Sequence, residues 1–313
     1  MTEQDRRSRE GFLRQGFLPV DRNSYPLYKA HDENNRLSEM TAAIVTSWGS
    51  AFNAVYKQIN GYLCSAWFTG GLPVYFEIHR PWGTGDCSLP EIVDVLYGLS
   101  REAGLPFLQI GVIDGLFLKE YTGIRGYHIK TGYDDDHSEY GFKTGDLLEL
   151  SGGINEDKRR HLKKCSRIPD VSLRPMTKEN VRFCLEIEEE WCRRQDCPVC
   201  GSLVGCEKKA LEIMVDIFDD TVYNGVFAYI KDTPAGFAIG EKKDENISFL
   251  YFAKANVPDL NVYIYYMMVK TYLSGAEYLN LGEDMGKKGL RIFKTHLGVH
   301  EMWRKYVCTY TRA

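Results

Sequence analysis

Two stretches of this 313-residue chain, each about half its length, carry one order of local signals: hairpin, strand, helix, strand. In the first, residues 53–59 and 62–67 flank Asn60-Gly61, a pair that favours the positive φ angles of a tight hairpin turn. Residues 73–79 (PVYFEIH) read as a third strand, residues 80–86 (RPWGTGD) as a loop and residues 89–103 as an amphipathic helix. Ile92, Leu96 and Leu99 share a face of that helix, and Gly104 marks its stop. A strand follows at 107–112. The second stretch has a strand at 171–175, helices at 177–194 and 209–218, a hairpin of 223–230 with 235–242, a strand at 247–252, a helix at 260–274 and a strand at 278–281. A short helix at 289–297 and an alternating strand at 303–311 close the chain. Residue identities do not match between the halves, so the plan repeats and the sequence does not.

Such an order predicts an α+β fold with two mixed sheets, each flanked by helices. With 44% hydrophobic residues, each half is long enough to bury its own core. The expected division is 1–150 and 151–313, with the seam at Ser151-Gly152-Gly153. The second domain then opens on a basic linker helix, residues 155–165 (NEDKRRHLKKC), with Asn155 at its N-cap and Glu156 and Asp157 in its first turn.

Charge narrows the function classes. There are 39 Lys and Arg against 43 Asp and Glu, so the chain as a whole is no basic nucleic-acid binder. Its one strongly basic stretch is Lys158 to Lys164. That stretch reads either as a solvated connecting helix or as a surface for a phosphate-rich partner, a tRNA acceptor end or anionic lipid heads. No apolar run approaches the roughly 18 residues of a membrane span. The first residues, MTEQDRRSREGF, lead into no apolar segment of the secretory kind. The expected location is cytoplasmic, with the nine cysteines reduced.

Three constellations carry candidate chemistry. At the end of the 278–281 strand, Glu283 and Asp284 precede Arg291 and Lys294, which lie three apart on one helix face. Two acids, two glycines and two bases at a strand end form a candidate site for a carboxylate or phosphate, with Glu283 or Asp284 as general base. The same residues also fit a structural network in which a carboxylate pairs with Arg291 to fix the loop. The second is Arg80-x-x-Gly83-x-Gly85 between a strand and a helix, where glycines permit close approach of a phosphate. A tight turn that needs glycine explains it equally. The third is Cys192, Cys197, Cys200 and Cys206, dense enough for zinc, although only Cys197 and Cys200 have the usual ligand spacing and packed thiols are the simpler alternative.

The segment from Tyr278 to His300 resembles the C-terminal signature of the phosphatidylglycerol lysyltransferase C-terminal-domain family, N-x-E-D-x-G-x-x-G-L-R-x-x-K. Asn280, Glu283, Asp284, Gly286, Gly289, Leu290, Arg291 and Lys294 fall on that pattern. The resemblance implies two tandem GNAT-like domains and a soluble, stand-alone branch. It also implies an acyl or aminoacyl group moved from a coenzyme A thioester or an aminoacyl-tRNA to a small-molecule, lipid-headgroup or peptide acceptor. Glu283, Asp284 and Tyr251 are then the candidate catalytic residues. Asn280, Gly286, Gly289, Arg291 and Lys294 would bind substrate, and Arg80, Gly83 and Gly85 the coenzyme A pyrophosphate. The second half lacks a glycine loop of that kind before its 260–274 helix, which departs from a plain acetyl-coenzyme A enzyme. A non-catalytic binding module on the same fold is the alternative.

Overall fold

The computed structural model describes residues 1–32, 35–70, 73–80, 88–151, 155–194 and 206–313. The chain divides into two compact units. Among described residues, the first takes 1–137, 206–214 and 303–313, and the second takes 138–194 and 215–302.

The first unit begins α1 (Glu3–Arg14), β1 (Leu18–Pro19), α2 (Tyr25–Ala30), α3 (Ala42–Ala51), β2 (Val55–Ile59), β3 (Tyr62–Trp67) and β4 (Tyr75–His79). It continues with α4 (Leu89–Glu102), β5 (Leu108–Asp114), α5 (Leu118–Thr122) and β6 (Tyr127–Tyr133). Asn60 and Gly61 turn the β2–β3 hairpin at φ 48° and 86°, the left-handed pair that two-residue hairpins require. Ile92, Val93 and Leu96 of α4 are fully buried in a cluster with Phe12, Phe76 and Ile110.

Next along the chain are β7 (Glu139–Lys143), α6 (Thr144–Leu148), α7 (Glu156–Cys165), β8 (Val171–Pro175), α8 (Phe183–Arg194) and α9 (Glu207–Ile217). Then follow β9 (Asn224–Ile230), β10 (Thr233–Lys242), β11 (Ile247–Ala255), α10 (Leu260–Met268), β12 (Tyr278–Asn280), α11 (Lys288–His296), β13 (Glu301–Trp303) and β14 (Lys305–Arg312). Helix α10 lies close on its sheet because small residues face it. A Cβ at Gly236 would sit 2.5 Å from Ile264 Cδ1 and 2.8 Å from the Lys254 carbonyl oxygen.

Both units build the same seven-stranded sheet. The orders are β1-β2-β3-β4-β5-β14-β6 and β8-β9-β10-β11-β12-β7-β13. Each has a parallel central pair, β4/β5 and β11/β12, and its other assigned pairings are antiparallel. The strand beside that pair comes from the other half of the sequence: β14 in the first unit and β7 in the second. The division at residue 150 therefore gives way to one at His137/Ser138, and residues 303–313 join the first unit. Long-range pairing decides this. β14 pairs along its length with both β5 and β6 and sinks Cys308 and Tyr310 into the first core.

Local differences have local causes. Helix α8 starts at Phe183, because residues 177–182 turn around a Thr177 N–H bond to Asn180 Oδ1 of 2.8 Å. Asn155 precedes α7 as expected, but its amide donates to the Ser151 carbonyl at 2.9 Å instead of capping the helix. The 260–274 helix ends in a π-helical turn, Val269–Leu273, a form often found at functional positions.

Candidate active site

In the second unit, β11 and β12 pair at Ile247↔Tyr278, Ser248↔Leu279 and Phe249↔Asn280. There β12 stops while β11 runs on to Ala255, so the C-terminal edge of the parallel pair opens, the usual ligand edge of such sheets. Just beyond the last pair, the β10–β11 register shifts and leaves Tyr251 as the extra residue of a β-bulge. Bulges re-aim side chains beside active sites. Tyr251 stacks on Phe249 with ring centres 5.8 Å apart and donates its hydroxyl to Glu241 Oε2 at 2.7 Å.

The loop after β12 is held by the side chains of four of the sequence-predicted residues. Asn280 Oδ1 accepts the Gly282 N–H at 2.6 Å, and its amide donates to Glu139. Asp284 is fully buried. It accepts Arg291 Nε and Nη2 at 2.7 and 2.8 Å, the Gly286 N–H at 2.8 Å and the Tyr140 hydroxyl. Those bonds, the Arg291 guanidinium first among them, outweigh burial and hold its carboxyl down at about 2. The same partnership, after burial itself, raises the Tyr140 phenol. Lys294, 4% exposed, donates to the carbonyls of Leu281, Gly282 and Glu283 at 2.7, 3.0 and 2.6 Å. An ammonium has three N–H donors, so all are used within the loop.

This geometry corrects part of the expected assignment. Arg291 and Lys294 bond to the chain itself, and the Asp284 oxygens are engaged by Arg291, Gly286 and Tyr140. The structural network that fixes the loop is what these side chains build. Gly282, Met285 and Gly286 take φ of 67°, 53° and 67°, so the sharp turn at Gly286 needs a residue free of a Cβ penalty. Gly289 lies exposed in the first turn of α11. Glu283 is half-buried, with its own carbonyl clamped by Lys294. Tyr140, Glu139 and Glu241 escape a sequence reading because they meet the site only through strand pairing.

In the first unit, Arg80 forms an ion pair with Glu120 at 2.6 Å and lies 4.9 Å over the Phe117 ring. Gly83 and Gly85, named with it for coenzyme A, lie outside the described residues, as do Cys197 and Cys200. Cys192 is buried and donates to Glu188 Oε1 at 3.4 Å, and Cys206 is half-buried. Among the described residues, no three His, Cys, Asp or Glu side chains gather as a metal site.

The parallel pair β4/β5 opens earlier, after the single pairing Phe76↔Ile110. A cavity of about 90 Å³ lies there, walled by His31, Ile78, His79, Val112, Asp114 and Tyr121 among others. Asp114 at the end of β5 accepts Arg36 Nε and Nη2 at 2.7 and 2.9 Å and the Leu116 N–H at 3.0 Å. Beside it in the sheet, buried Glu77 lies 3.8 Å from His79, and burial pushes its carboxyl well above the usual range.

Two seven-stranded sheets, each opening at a parallel pair and flanked by helices, define an α+β protein of two tandem GNAT-like units. The model of the phosphatidylglycerol lysyltransferase C-terminal family matches residues 34–308, and the chain belongs to that family. Among solved structures, it is similar to a conserved protein of unknown function from Bacteroides thetaiotaomicron, with a TM-score of 0.80 at 19% identity over 94% of this chain and 99% of that one. It is also similar to L-PGS from Bacillus licheniformis, with a TM-score of 0.62 at 13% identity over 93% and 92% of the two chains. FemX gives a TM-score of 0.56 at 10% identity over 95% and 97%. At such identities the likeness concerns the fold. Comparison with the curated proteins finds no match. Among the described residues, no helix is long and apolar enough to cross a membrane.

Proposed function

We propose that the chain is an acyl- or aminoacyl-transferase that works at the open edge of β11 and β12. The observation that carries this is the joint placement of a bulged, hydrogen-bonded Tyr251 and the Glu283 loop where the parallel strands part. The group moved arrives as a coenzyme A thioester or a tRNA ester. The acceptor is a small molecule, a lipid headgroup or a peptide that presents an amine or hydroxyl. Its nitrogen or oxygen attacks the carbonyl carbon, the new bond forms and the C–S or C–O bond breaks. Glu283 takes the acceptor's proton, and Tyr251, held on Glu241, is the candidate to return one to the leaving group. The clamped loop holds these groups in place without reorganisation. The glycine-loop partners of Arg80 lie outside the described residues, and the Arg80 guanidinium is engaged by Glu120, so no step is routed through a coenzyme A site there.

The test is single-turnover transfer from acetyl-coenzyme A and from aminoacyl-tRNA, scored with melting. Glu283→Gln and Tyr251→Phe should each cut transfer at least tenfold, with Glu283→Gln melting as the parent does and Tyr251→Phe losing about 1 kcal/mol with its bond to the buried Glu241. Retained transfer in both removes this site. The non-catalytic alternative has an observation of its own, since Asp284, Arg291 and Lys294 all serve the loop's architecture. Absence of transfer from either donor, with a ligand still stabilising the fold, favours it.

A further inference from the structure

We infer that the opening between β4 and β5 in the first unit is a binding site for a small aliphatic carboxylate, of the size of acetate or propionate. The cavity there measures about 90 Å³, and all of its walls belong to that unit. Such a volume suits a ligand of about four or five non-hydrogen atoms. Two irregularities make the space. The parallel strands pair only at Phe76↔Ile110 before they part. On the other side of β5 the β14 register shifts, so that Gly111 and Val112 oppose the single Val307. Val112 takes φ 54° in that bulge. A β-branched residue is strained there, and backbone strain of this kind gathers at binding sites.

The polar side chains of the wall lean to donors. Asn35 Oδ1 accepts the Leu37 N–H at 2.8 Å, which fixes the amide, and its nitrogen meets no acceptor among the described residues. A guanidinium has five N–H donors. Glu120 takes one from Arg80 at 2.6 Å, and the Tyr121 hydroxyl is bonded by Arg80 as well. With its oxygen facing a guanidinium, Tyr121 keeps its own proton to give, and burial pushes the phenol up to about 12. The side-chain acceptors of the wall are engaged elsewhere. Both ring nitrogens of His31 lie on carbonyls, Leu27 at 2.9 Å and Gly61 at 3.1 Å. Asp114 accepts two Arg36 N–H groups and the Leu116 N–H. His79 lies 3.8 Å from Glu77. A ligand that brings donors of its own, an amine or an amide, finds little to receive them. A carboxylate accepts only, at about four lone-pair positions, and its charge answers Arg80. Met40, Ile78 and Phe117 supply apolar wall for a short chain. The site does not rest on the transferase reading, because none of these residues takes part in it.

The experiment titrates the full chain with acetate and with propionate in a buffer free of other carboxylates, read by saturation-transfer NMR. Acetamide is the uncharged isostere, and acetyl-coenzyme A is added as a competitor. Acetate should bind with a Kd of about 1 mM, as suits so small a ligand, and at least tenfold more tightly than acetamide. Asn35→Asp puts a carboxylate where an amide donor stood and should weaken acetate at least tenfold. Tyr121→Phe should weaken it about tenfold. Asn35 is half-buried, so Asn35→Asp should melt as the parent does and still decides the matter where Tyr121→Phe loosens the fold. No acetate binding by the parent overturns the site. Variants that bind as the parent does overturn its location. Acetamide bound as tightly as acetate, or acetate displaced by acetyl-coenzyme A, overturns the ligand class. Transfer without acetate binding defeats this site and leaves the transferase standing, and acetate binding without transfer does the reverse.

Discussion

Both units tie the end of the second parallel strand with the same device, yet only one builds a clamp around it. In the first, Asp114 at the end of β5 takes a two-pronged Arg36 and the N–H two residues on. In the second, Asp284 beyond β12 takes a two-pronged Arg291 and likewise the N–H two residues on. Asp114 is the last residue of β5 and Asp284 lies in the loop after β12, and a two-pronged Asp–Arg pair near the end of each parallel strand reads as architecture. What the second unit adds is Lys294 on three carbonyls and the Tyr140 hydroxyl on Asp284. The first unit keeps a looser opening, a single strand pairing and the buried Glu77 and His79 instead.

Removing the added clamp should matter most. Lys294→Met leaves three carbonyls without their charged donor and is expected to cost roughly 4 kcal/mol in denaturant unfolding. A cost under about 1 kcal/mol would return Lys294 to the ligand-binding role that its sequence spacing implied. Asp284→Asn should cost about 3 kcal/mol and Asp114→Asn about 2 kcal/mol, the difference reflecting the extra tyrosine bond. Equal costs would mean that Tyr140 adds nothing. The acid limb should follow. Because the Asp284 carboxyl is held at about 2, below its ordinary value of 3.8, its stabilisation is complete above that ordinary value and disappears as pH falls through about 2. Acid melting of Asp284→Asn should lack that limb.

Glu77 supplies a smaller effect of opposite sign. Its carboxyl is raised in the folded chain by burial, so stability is greatest below the ordinary carboxylate range and declines as pH rises toward the folded value. Glu77→Gln should therefore gain on the parent in melting temperature from pH 5 to pH 8. A constant difference across that range would show that Glu77 does not hold its proton.

Much of this plan was legible in the sequence because it is local. The Asn60-Gly61 hairpin, the α4 face and the strand–loop–helix around Asn280 to Lys294 follow from turn chemistry and period. The partners were not. Nothing near Tyr140 or Glu139 signals a meeting with Asp284 or Asn280, which lies more than 130 residues away and arises when β7 pairs with β12. The exchange of β7 and β14 is invisible for the same reason, and it moved the division of the chain. The roles of Arg291 and Lys294 were half legible. Their spacing placed them on one helix face, while only the geometry showed that they bond back to the loop.

We propose that Asp284 builds the loop and Glu283 does its chemistry. The most direct measurement compares Glu283→Gln and Asp284→Asn side by side, with unfolding free energy and single-turnover transfer recorded on each. Glu283→Gln should lie within about 0.5 kcal/mol of the parent and lose transfer, while Asp284→Asn should lose about 3 kcal/mol. A Glu283→Gln chain that still transfers, or an Asp284→Asn chain as stable as the parent, would contradict it.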